Sequence, residues 1–119
     1  MRVLLICGLL AAAPAFAQQA QAAAPSPPET SAQRQLTLIR MVRQDCGSCH
    51  GMRLTGGLGP ALTREALADR PLDALVASII HGRPGTPMPG WKTLLSEADA
   101  TWIARQLHAG FPQEPKAMR

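Results

Sequence analysis

Tyrosine is absent from this 119-residue sequence, and two tryptophans and two phenylalanines are its only aromatic residues. Lysine is also scarce, since only Lys92 and Lys116 are present, and the arginines are scattered instead of alternating with aromatic residues. Proteins that bind nucleic acids usually carry a concentrated basic surface, which this distribution does not provide. The formal charge of +4 therefore indicates a mildly basic protein, and we expect no nucleic-acid partner.

Long apolar segments are missing after the first 17 residues, so no later stretch is predicted to span a membrane. The N-terminus has a positive start, an apolar run from Val3 to Ala13 that is too short for a permanent membrane helix, and the small-x-small sequence Ala15-Phe16-Ala17. This is the pattern of an export signal. We predict a signal peptide over residues 1–17 that is cleaved after Ala17, and an exported protein without stable membrane insertion.

Cysteine is rare as well. Of the three cysteines, Cys7 lies in the predicted signal peptide, which leaves Cys46 and Cys49 and no cysteine for a further disulfide. These two residues belong to Cys46-Gly47-Ser48-Cys49-His50, the pattern of a c-type haem attachment site. Each thiol can add across one haem vinyl group, and the following histidine is then held where its imidazole meets the iron. We predict one covalently bound haem c.

Two other uses of a Cys-x-x-Cys pair are a redox dithiol and half of a zinc site. A thioredoxin-like dithiol requires a βαβ context, and this sequence contains no convincing strand. A zinc site requires further cysteines or histidines at ligand spacing, which His81 and His108 supply poorly. The glycine-rich segment Gly56 to Pro60 follows no strand and lacks the lysine of a phosphate-binding loop, so nucleotide binding is not indicated either.

The rest of the chain is predicted to form one small domain between two polar segments. Residues 18–30 are rich in alanine, glutamine and proline without a hydrophobic period, which predicts a disordered leader. Residues 112–119 are predicted to form a polar tail. The domain, residues 31–111, has about eighty residues, a size at which a core is marginal without a cofactor or a staple. A buried haem would supply that core.

The domain is predicted to be all-α, with three to five helices around the haem. A first helix begins at Ser31 and runs to the haem motif, and a short helix begins at Thr63. The segment Pro71 to His81 carries apolar residues at helical spacing, on a face expected to press on the haem. Ser96-Glu97-Ala98-Asp99 resembles a capping box and begins the last helix, which Gly110 ends. The apolar positions at helical spacing in the first and third helices are Leu36, Ile39, Met41, Val42, Leu72, Leu75, Val76, Ile79 and Ile80.

A loop with three prolines and three glycines, from His81 to Trp91, separates the last two helices. Met88 lies between two of these prolines, and a thioether on a stiff loop is suited to be the sixth iron ligand. The alternative is a methionine that only fills a gap in the core. His81 and His108 are rival ligands, although each lies at a predicted helix end, where histidines commonly contact terminal carbonyls. His81 is the better rival because its helix is expected to face the haem.

Two further residues are assigned to the haem pocket. Trp91 can donate its indole N–H to a haem propionate while its ring walls the pocket, or it can simply be part of the core. A ligating histidine normally donates its second ring N–H to a carbonyl or a carboxylate. For His50, we expect a carbonyl in the segment Leu58 to Pro60 to be the acceptor.

Four features together resemble the class I cytochromes c, namely Cys46-x-x-Cys49-His50, Gly59-Pro60, Thr86-Pro87-Met88-Pro89 and a capped C-terminal helix. A denser match is similar to the cytochrome c55X family, small periplasmic cytochromes found with the cytochrome cd1 nitrite reductase of denitrifying bacteria. This match consists of Asp45 to Gly51, Gly56 to Leu62 and Gly82 to Pro89. The chain departs from the class at Gln106, where many members carry an aromatic residue on the terminal helix.

The resemblance implies a class I cytochrome c fold with His50 and Met88 as axial ligands and the Pro60 carbonyl as the acceptor for His50. It implies a periplasmic protein that is not an enzyme and that carries single electrons to or beside cytochrome cd1 nitrite reductase. One alternative is an accessory factor in the insertion or maturation of haem d1 in that enzyme. A further alternative is a haem sensor or small haem enzyme in which Met88 leaves the iron.

Four arginines flank the haem motif or the methionine loop, and they are Arg40, Arg43, Arg53 and Arg83. We expect some of them to surround the haem edge, where positive charge can steer a redox partner without making the complex tight. Ordinary solvated surface is the alternative for each of them.

Overall fold

The computed structural model describes residues 31–112, and the predicted signal peptide, the leader and residues 113–119 of the predicted tail lie outside the described residues. The elements are α1 (Ala32–Met41), a π-helical turn (Val42–Cys46), α2 (Gly47–His50), α3 (Arg64–Leu67), α4 (Leu72–His81) and α5 (Glu97–Ala109). The first three form one continuous helical stretch, and no strand occurs in residues 31–112. The predicted all-α class is therefore confirmed. None of these helices is long and apolar enough to cross a bilayer.

Side chains cap three of the helices where the sequence predicts their starts. Ser31 and Thr63 each accept a hydrogen bond from the backbone N–H three residues further on, at 3.2 and 3.3 Å. At the start of α5, Ser96 and Asp99 form a reciprocal capping box with two hydrogen bonds of 3.1 Å. Each cap satisfies backbone donors that the first turn of a helix leaves without an intrahelical partner.

The buried face of α1 differs from the predicted one. Leu38, Ile39 and Val42 are buried, whereas Leu36 and Met41 are only partly buried. Leu36 lies about 200° around the helix from Leu38, at 100° per residue, so the two cannot share one face. Helix α1 thus carries two apolar directions, and packing against α5 decides which of them is buried.

Nine buried apolar side chains form the core of the domain. They are Leu38, Ile39, Val42, Leu54, Leu67, Leu95, Ile103, Leu107 and Phe111. The apolar face of α4 is divided, because Leu75 and Ile79 pack against this core. The remaining members of that face, Leu72, Val76 and Ile80, line a groove of about 360 Å³ beside α5. The five predicted positions therefore contact two different neighbours, the core and the groove beside α5.

One ion pair joins α1 to α5. Arg34 donates to both carboxylate oxygens of Asp99, from Nε at 3.1 Å and from Nη2 at 2.6 Å. Asp99 is 2% exposed and also accepts the backbone N–H of Ser96. The hydrogen bonds from Arg34 hold the pKa of Asp99 below its ordinary value, although burial acts to raise it. A bidentate guanidinium–carboxylate pair of this kind has a specific geometry and fixes the crossing of the two helices.

Arg43, in the π-helical turn, holds the C-terminal end of the domain. Its Nη2 donates to the carbonyls of Phe111 and Pro112 at 3.1 and 2.9 Å, and its guanidinium lies 5.3 Å from the centroid of the Phe111 ring. Arg43 is 8% exposed, so it is the one member of the four arginines near the motif and the methionine loop that is not part of the solvated surface. The buried Phe111 supplies an aromatic ring to the core five residues beyond Gln106.

We expect Asp99→Asn to lower the free energy of unfolding at pH 7 by about 1–3 kcal/mol, because charge-assisted hydrogen bonds to a buried group are lost. The pKa of Asp99 is lower in the folded chain than the ordinary value of 3.8, so its contribution to stability is complete above about pH 5 and is lost as the pH falls from 3.8 through the lower pKa of the folded chain. Urea unfolding between about pH 3 and pH 7 measures this difference. Glu97→Gln, an exposed carboxylate of the same helical turn, is the control, and a variant as acid-sensitive as the wild type would contradict the assignment.

Candidate haem site

The two cysteines of the motif lie on successive helical turns. Cys46 ends the π-helical turn and is partly buried, whereas Cys49 lies in α2 and is exposed, and both are free thiols. Burial, with a smaller contribution from the Asp45 carboxylate, raises the pKa of Cys46 to about 11. Cys46 is therefore protonated at neutral pH. A redox dithiol depends instead on an activated thiolate with a lowered pKa, so this environment argues against that alternative.

The segment that follows the motif folds back onto it through backbone hydrogen bonds. The Gly59 N–H donates to the Cys49 carbonyl, and the Gly56 N–H donates to the His50 carbonyl, both at 2.8 Å. A third bond, 2.7 Å long, joins the Leu54 N–H to the carbonyl of Gly51. The loop is thus tied to the last turn of α2, the turn that carries the histidine.

His50 is buried, and its Nδ1 lies 2.7 Å from the carbonyl oxygen of Pro60. A carbonyl oxygen only accepts, so Nδ1 must carry the proton of this hydrogen bond. In the neutral imidazole the other nitrogen, Nε2, then has a free lone pair, which is the form that binds a metal. The acceptor is the carbonyl that the family resemblance implies.

Gly59 allows the loop to lie directly against the imidazole ring. A Cβ atom at this position would be 2.7 Å from Cε1 and 2.8 Å from Nδ1 of His50, a separation at which one of the two groups must move. The pair Gly59-Pro60 therefore has a steric purpose. Glycine leaves room for the ring, and the next residue presents the carbonyl that orients it.

The methionine loop is anchored to itself and to α4. The Trp91 N–H donates to a carbonyl of α4 at 3.0 Å, and the Arg83 N–H donates to the Met88 carbonyl at 3.2 Å. The Thr86 hydroxyl accepts the Met88 N–H at 3.3 Å and donates to the Arg83 carbonyl at 2.7 Å. Gly82 has a φ of +70°, and a Cβ atom there would be 2.6 Å from the Met88 carbonyl oxygen. The backbone on both sides of Met88 is thereby fixed, and Met88 is partly buried.

The other two residues assigned to the pocket or to the iron lie in different surroundings. Trp91 is partly buried and packs against the hydrophobic core. It is the last residue of the methionine loop. His81 is exposed and lines the groove beside α5 together with Glu97 and Thr101. His81 therefore lies beside the start of α5, and its role as a rival to Met88 stays a prediction.

The donor set fits a haem better than it fits a zinc ion. In residues 31–112 no group of three or more His, Cys, Asp or Glu side chains is arranged to hold a metal ion, which argues against the zinc alternative. The residues present are two free thiols, a buried histidine with a protonated Nδ1 and a methionine on a fixed loop. This combination matches the attachment and the axial ligation of a c-type haem.

Two features beside the motif are missed by sequence reasoning. The π-helical turn Val42–Cys46 interrupts the helical period directly before the first cysteine, and no residue type in it predicts such a turn. The buried Arg43 is the second, because arginine is mostly found at the surface. The only signal in the sequence for the burial of Arg43 is that it directly follows Val42, which lies on the buried side of the helix.

Comparisons with known proteins relate this chain to c-type cytochromes. Residues 36–105 match the family model described as cytochrome C oxidase, cbb3-type, subunit III. The cytochrome c55X of Stutzerimonas stutzeri is 57% identical over 94 residues, which cover 79% of this chain and 79% of that protein. The solved structure of the c-type cytochrome NirC is 57% identical, with a TM-score of 0.66, and the match covers 66% of this chain and 93% of that one.

A larger protein contains a similar segment. The structure of the dihydro-heme d1 dehydrogenase NirN in complex with DHE is 36% identical over the matched part, with a TM-score of 0.57. The match covers 65% of this chain but only 17% of that one.

We expect Gly59→Ala to lower the free energy of unfolding of the exported protein by about 1–3 kcal/mol, because the added methyl group has no room beside the His50 ring. Gly47→Ala is the matched control, since the nearest atom to a Cβ at that position is 3.4 Å away. Urea unfolding measures both variants, and their absorption spectra report any change at the haem. Equal stabilities would show that the loop does not press on the ring.

Proposed function

This chain belongs to the cytochrome c55X family, a group of class I c-type cytochromes of denitrification that bind haem c covalently, and on this premise we propose that it is a mono-haem carrier of single electrons. We place it in the periplasm, after removal of residues 1–17, with redox proteins of denitrification as its partners. Cytochrome cd1 nitrite reductase is the partner that we propose first. The mildly basic composition and the exposed Arg40 and Arg83 favour brief, steered complexes over tight ones.

The residues of the candidate site divide into tethers, ligands and supports. Cys46 and Cys49 would form the two thioether bonds, and His50 and Met88 would occupy the two axial positions. Bound in this way, haem supplies reversible one-electron chemistry. Because two protein ligands would hold the iron, we propose no catalytic residue. Pro60 orients the His50 ring, and Trp91 forms a wall of the pocket.

The observation that carries the proposal is the 2.7 Å contact between His50 Nδ1 and the Pro60 carbonyl. A histidine that donates one ring N–H to a backbone carbonyl has a fixed tautomer, a fixed ring plane and a more basic second nitrogen. The acceptor is held by backbone bonds to the motif itself, so the orientation does not depend on a mobile side chain.

The similarity to part of a dihydro-heme d1 dehydrogenase favours a second candidate function. A dehydrogenase removes two electrons and two protons from its substrate, so each turnover must reduce one-electron carriers twice. In that relative, a segment similar to this chain is part of the same polypeptide as the dehydrogenase. The second candidate is therefore that this chain serves the maturation of haem d1, as an electron acceptor or a docking factor for the proteins that complete it.

We expect Cys46→Ala combined with Cys49→Ala to reduce the yield of holoprotein on the order of tenfold, because a domain of this size depends on its cofactor for a core. Haem staining of exported protein on a denaturing gel measures covalent attachment. Ser48→Ala, between the two cysteines, is the control and should retain attachment. A double variant that keeps its haem through denaturation would exclude thioether bonds at these positions.

We expect Met88→Ala to leave the haem attached, to admit carbon monoxide to the ferrous iron and to lower the midpoint potential. A thioether ligand favours the ferrous state, and axial ligands set haem potentials across a range of about 0.8 V, so a shift on the order of 0.2 V is expected. Spectroelectrochemical titration measures the potential.

Met52→Ala is the control for this substitution, since Met52 is exposed beside the motif. His81→Ala tests the rival ligand in the same titration. An unchanged potential and spectrum in Met88→Ala, together with a large change in His81→Ala, would assign the sixth position to His81.

Electron transfer to mature cytochrome cd1 nitrite reductase, followed by stopped-flow spectroscopy, separates the two candidate functions. A carrier should be oxidised at a rate that falls with added salt, because exposed charges are screened over roughly 10 Å at about 0.1 M ionic strength. Arg83→Gln should slow this step more than Arg105→Gln, an exposed arginine of α5. A maturation role predicts slow oxidation by the mature enzyme but measurable binding to nitrite reductase that lacks haem d1. Inactivity in both assays would contradict nitrite reductase as the partner in either role and would leave an electron carrier with another partner.

A further inference from the structure

A cavity of about 350 Å³ lies between the π-helical turn, the loop after the haem motif and the C-terminal end of the domain. Its polar lining is dominated by three arginines, Arg43, Arg53 and Arg64. None of the residues assigned to the haem contributes to this lining. The three arginines belong to different parts of the chain, namely the π-helical turn, the loop after the haem motif and α3. The fold brings them to one cavity.

Arg43 is the member of this set with an unusual environment. It is 8% exposed, and its charge is met only by two neutral carbonyl oxygens and the face of Phe111 among the described residues. Its Nε is buried without a hydrogen-bond partner in the part of the chain that the structure describes. A buried charge and a buried donor without a partner are each costly, so this guanidinium favours an anion beside it.

Within the described residues, no carboxylate of the protein compensates the charge of Arg43. Glu65 is exposed and lines the same cavity, yet no ion pair joins it to any of the three arginines in residues 31–112. Asp99, the carboxylate that pairs with an arginine elsewhere in the domain, is fully engaged with Arg34 and Ser96.

We propose that this cavity binds an oxyanion group, a phosphate or a carboxylate, between Arg43, Arg53 and Arg64. Guanidinium groups present paired N–H donors that match the geometry of such oxyanions. The exposed Arg53 and Arg64 would donate to the ligand, and the buried charge of Arg43 would attract it. The ligand would join the π-helical turn, the loop after the motif and α3. Because it binds the folded chain and not the unfolded one, it would stabilise the domain by mass action.

The reduced holoprotein, labelled with ¹⁵N and titrated with inorganic phosphate at constant ionic strength, tests this proposal. We expect saturable shifts of the Arg53 and Arg64 Nε–H resonances, with the Arg34 Nε–H resonance unchanged because that group is already paired with Asp99. Arg53→Gln and Arg64→Gln should each weaken phosphate binding about tenfold, the loss expected for one charge-assisted contact. Arg105→Gln, exposed on α5, should leave binding unchanged.

A repeat of the titration with Glu114→Gln identifies the source of the oxyanion, since Glu114 follows Pro112, whose carbonyl Arg43 holds, by two residues. A phosphate response in the wild type assigns the site to a free oxyanion. A response that appears only in Glu114→Gln assigns it to the protein's own carboxylate. The absence of saturable shifts at Arg53 and Arg64 in both proteins, or an unchanged phosphate affinity at the remaining arginine in each single variant, would overturn the proposal.

Discussion

The hydrogen bond between the His50 imidazole and the Pro60 carbonyl is the constraint on which the rest of the site depends. It requires the chain after the motif to reverse direction, and backbone bonds from Gly59 and Gly56 to the last turn of α2 hold that reversal. It also requires a residue without a side chain at position 59, because a Cβ atom there would overlap the ring. The glycines, the proline and the histidine are therefore parts of one arrangement whose result is a single ring orientation.

Two arginines hold the helical frame around this arrangement, and they act in different ways. Arg34 forms a bidentate pair with Asp99 and joins α1 to α5 through opposite charges. Arg43 holds the end of the chain through neutral carbonyls and an aromatic face. In the pair of Arg34 and Asp99, each charge is compensated by the opposite charge. The positive charge of Arg43 is buried and is met by neutral groups alone. This difference is the basis of the anion site proposed for the cavity beside Arg43.

Charged residues that look alike in the sequence thus have different surroundings in the structure. Arg40, Arg43, Arg53 and Arg83 are all near the motif or the methionine loop in the chain, and all four are candidates for the haem edge on that basis. The structure buries Arg43 and brings Arg53 to the same cavity, whereas Arg40 and Arg83 are exposed. Distance along a helical chain does not determine the direction of a long side chain, because each residue turns the direction by about 100°.

The sequence by itself determined the elements whose signals are local. The Cys46-x-x-Cys49-His50 motif, the caps at Ser31, Thr63 and Ser96, and the stiff loop around Met88 each depend on neighbouring residues, and short-range sterics and hydrogen bonds specify them. Only the tertiary structure decided which apolar stripe of α1 is buried, how the face of α4 is divided, and that Arg43 reaches the carbonyls of residues 111 and 112. These outcomes depend on contacts between segments far apart in the chain, where several faces of similar hydrophobicity compete and the packing of the whole domain selects one.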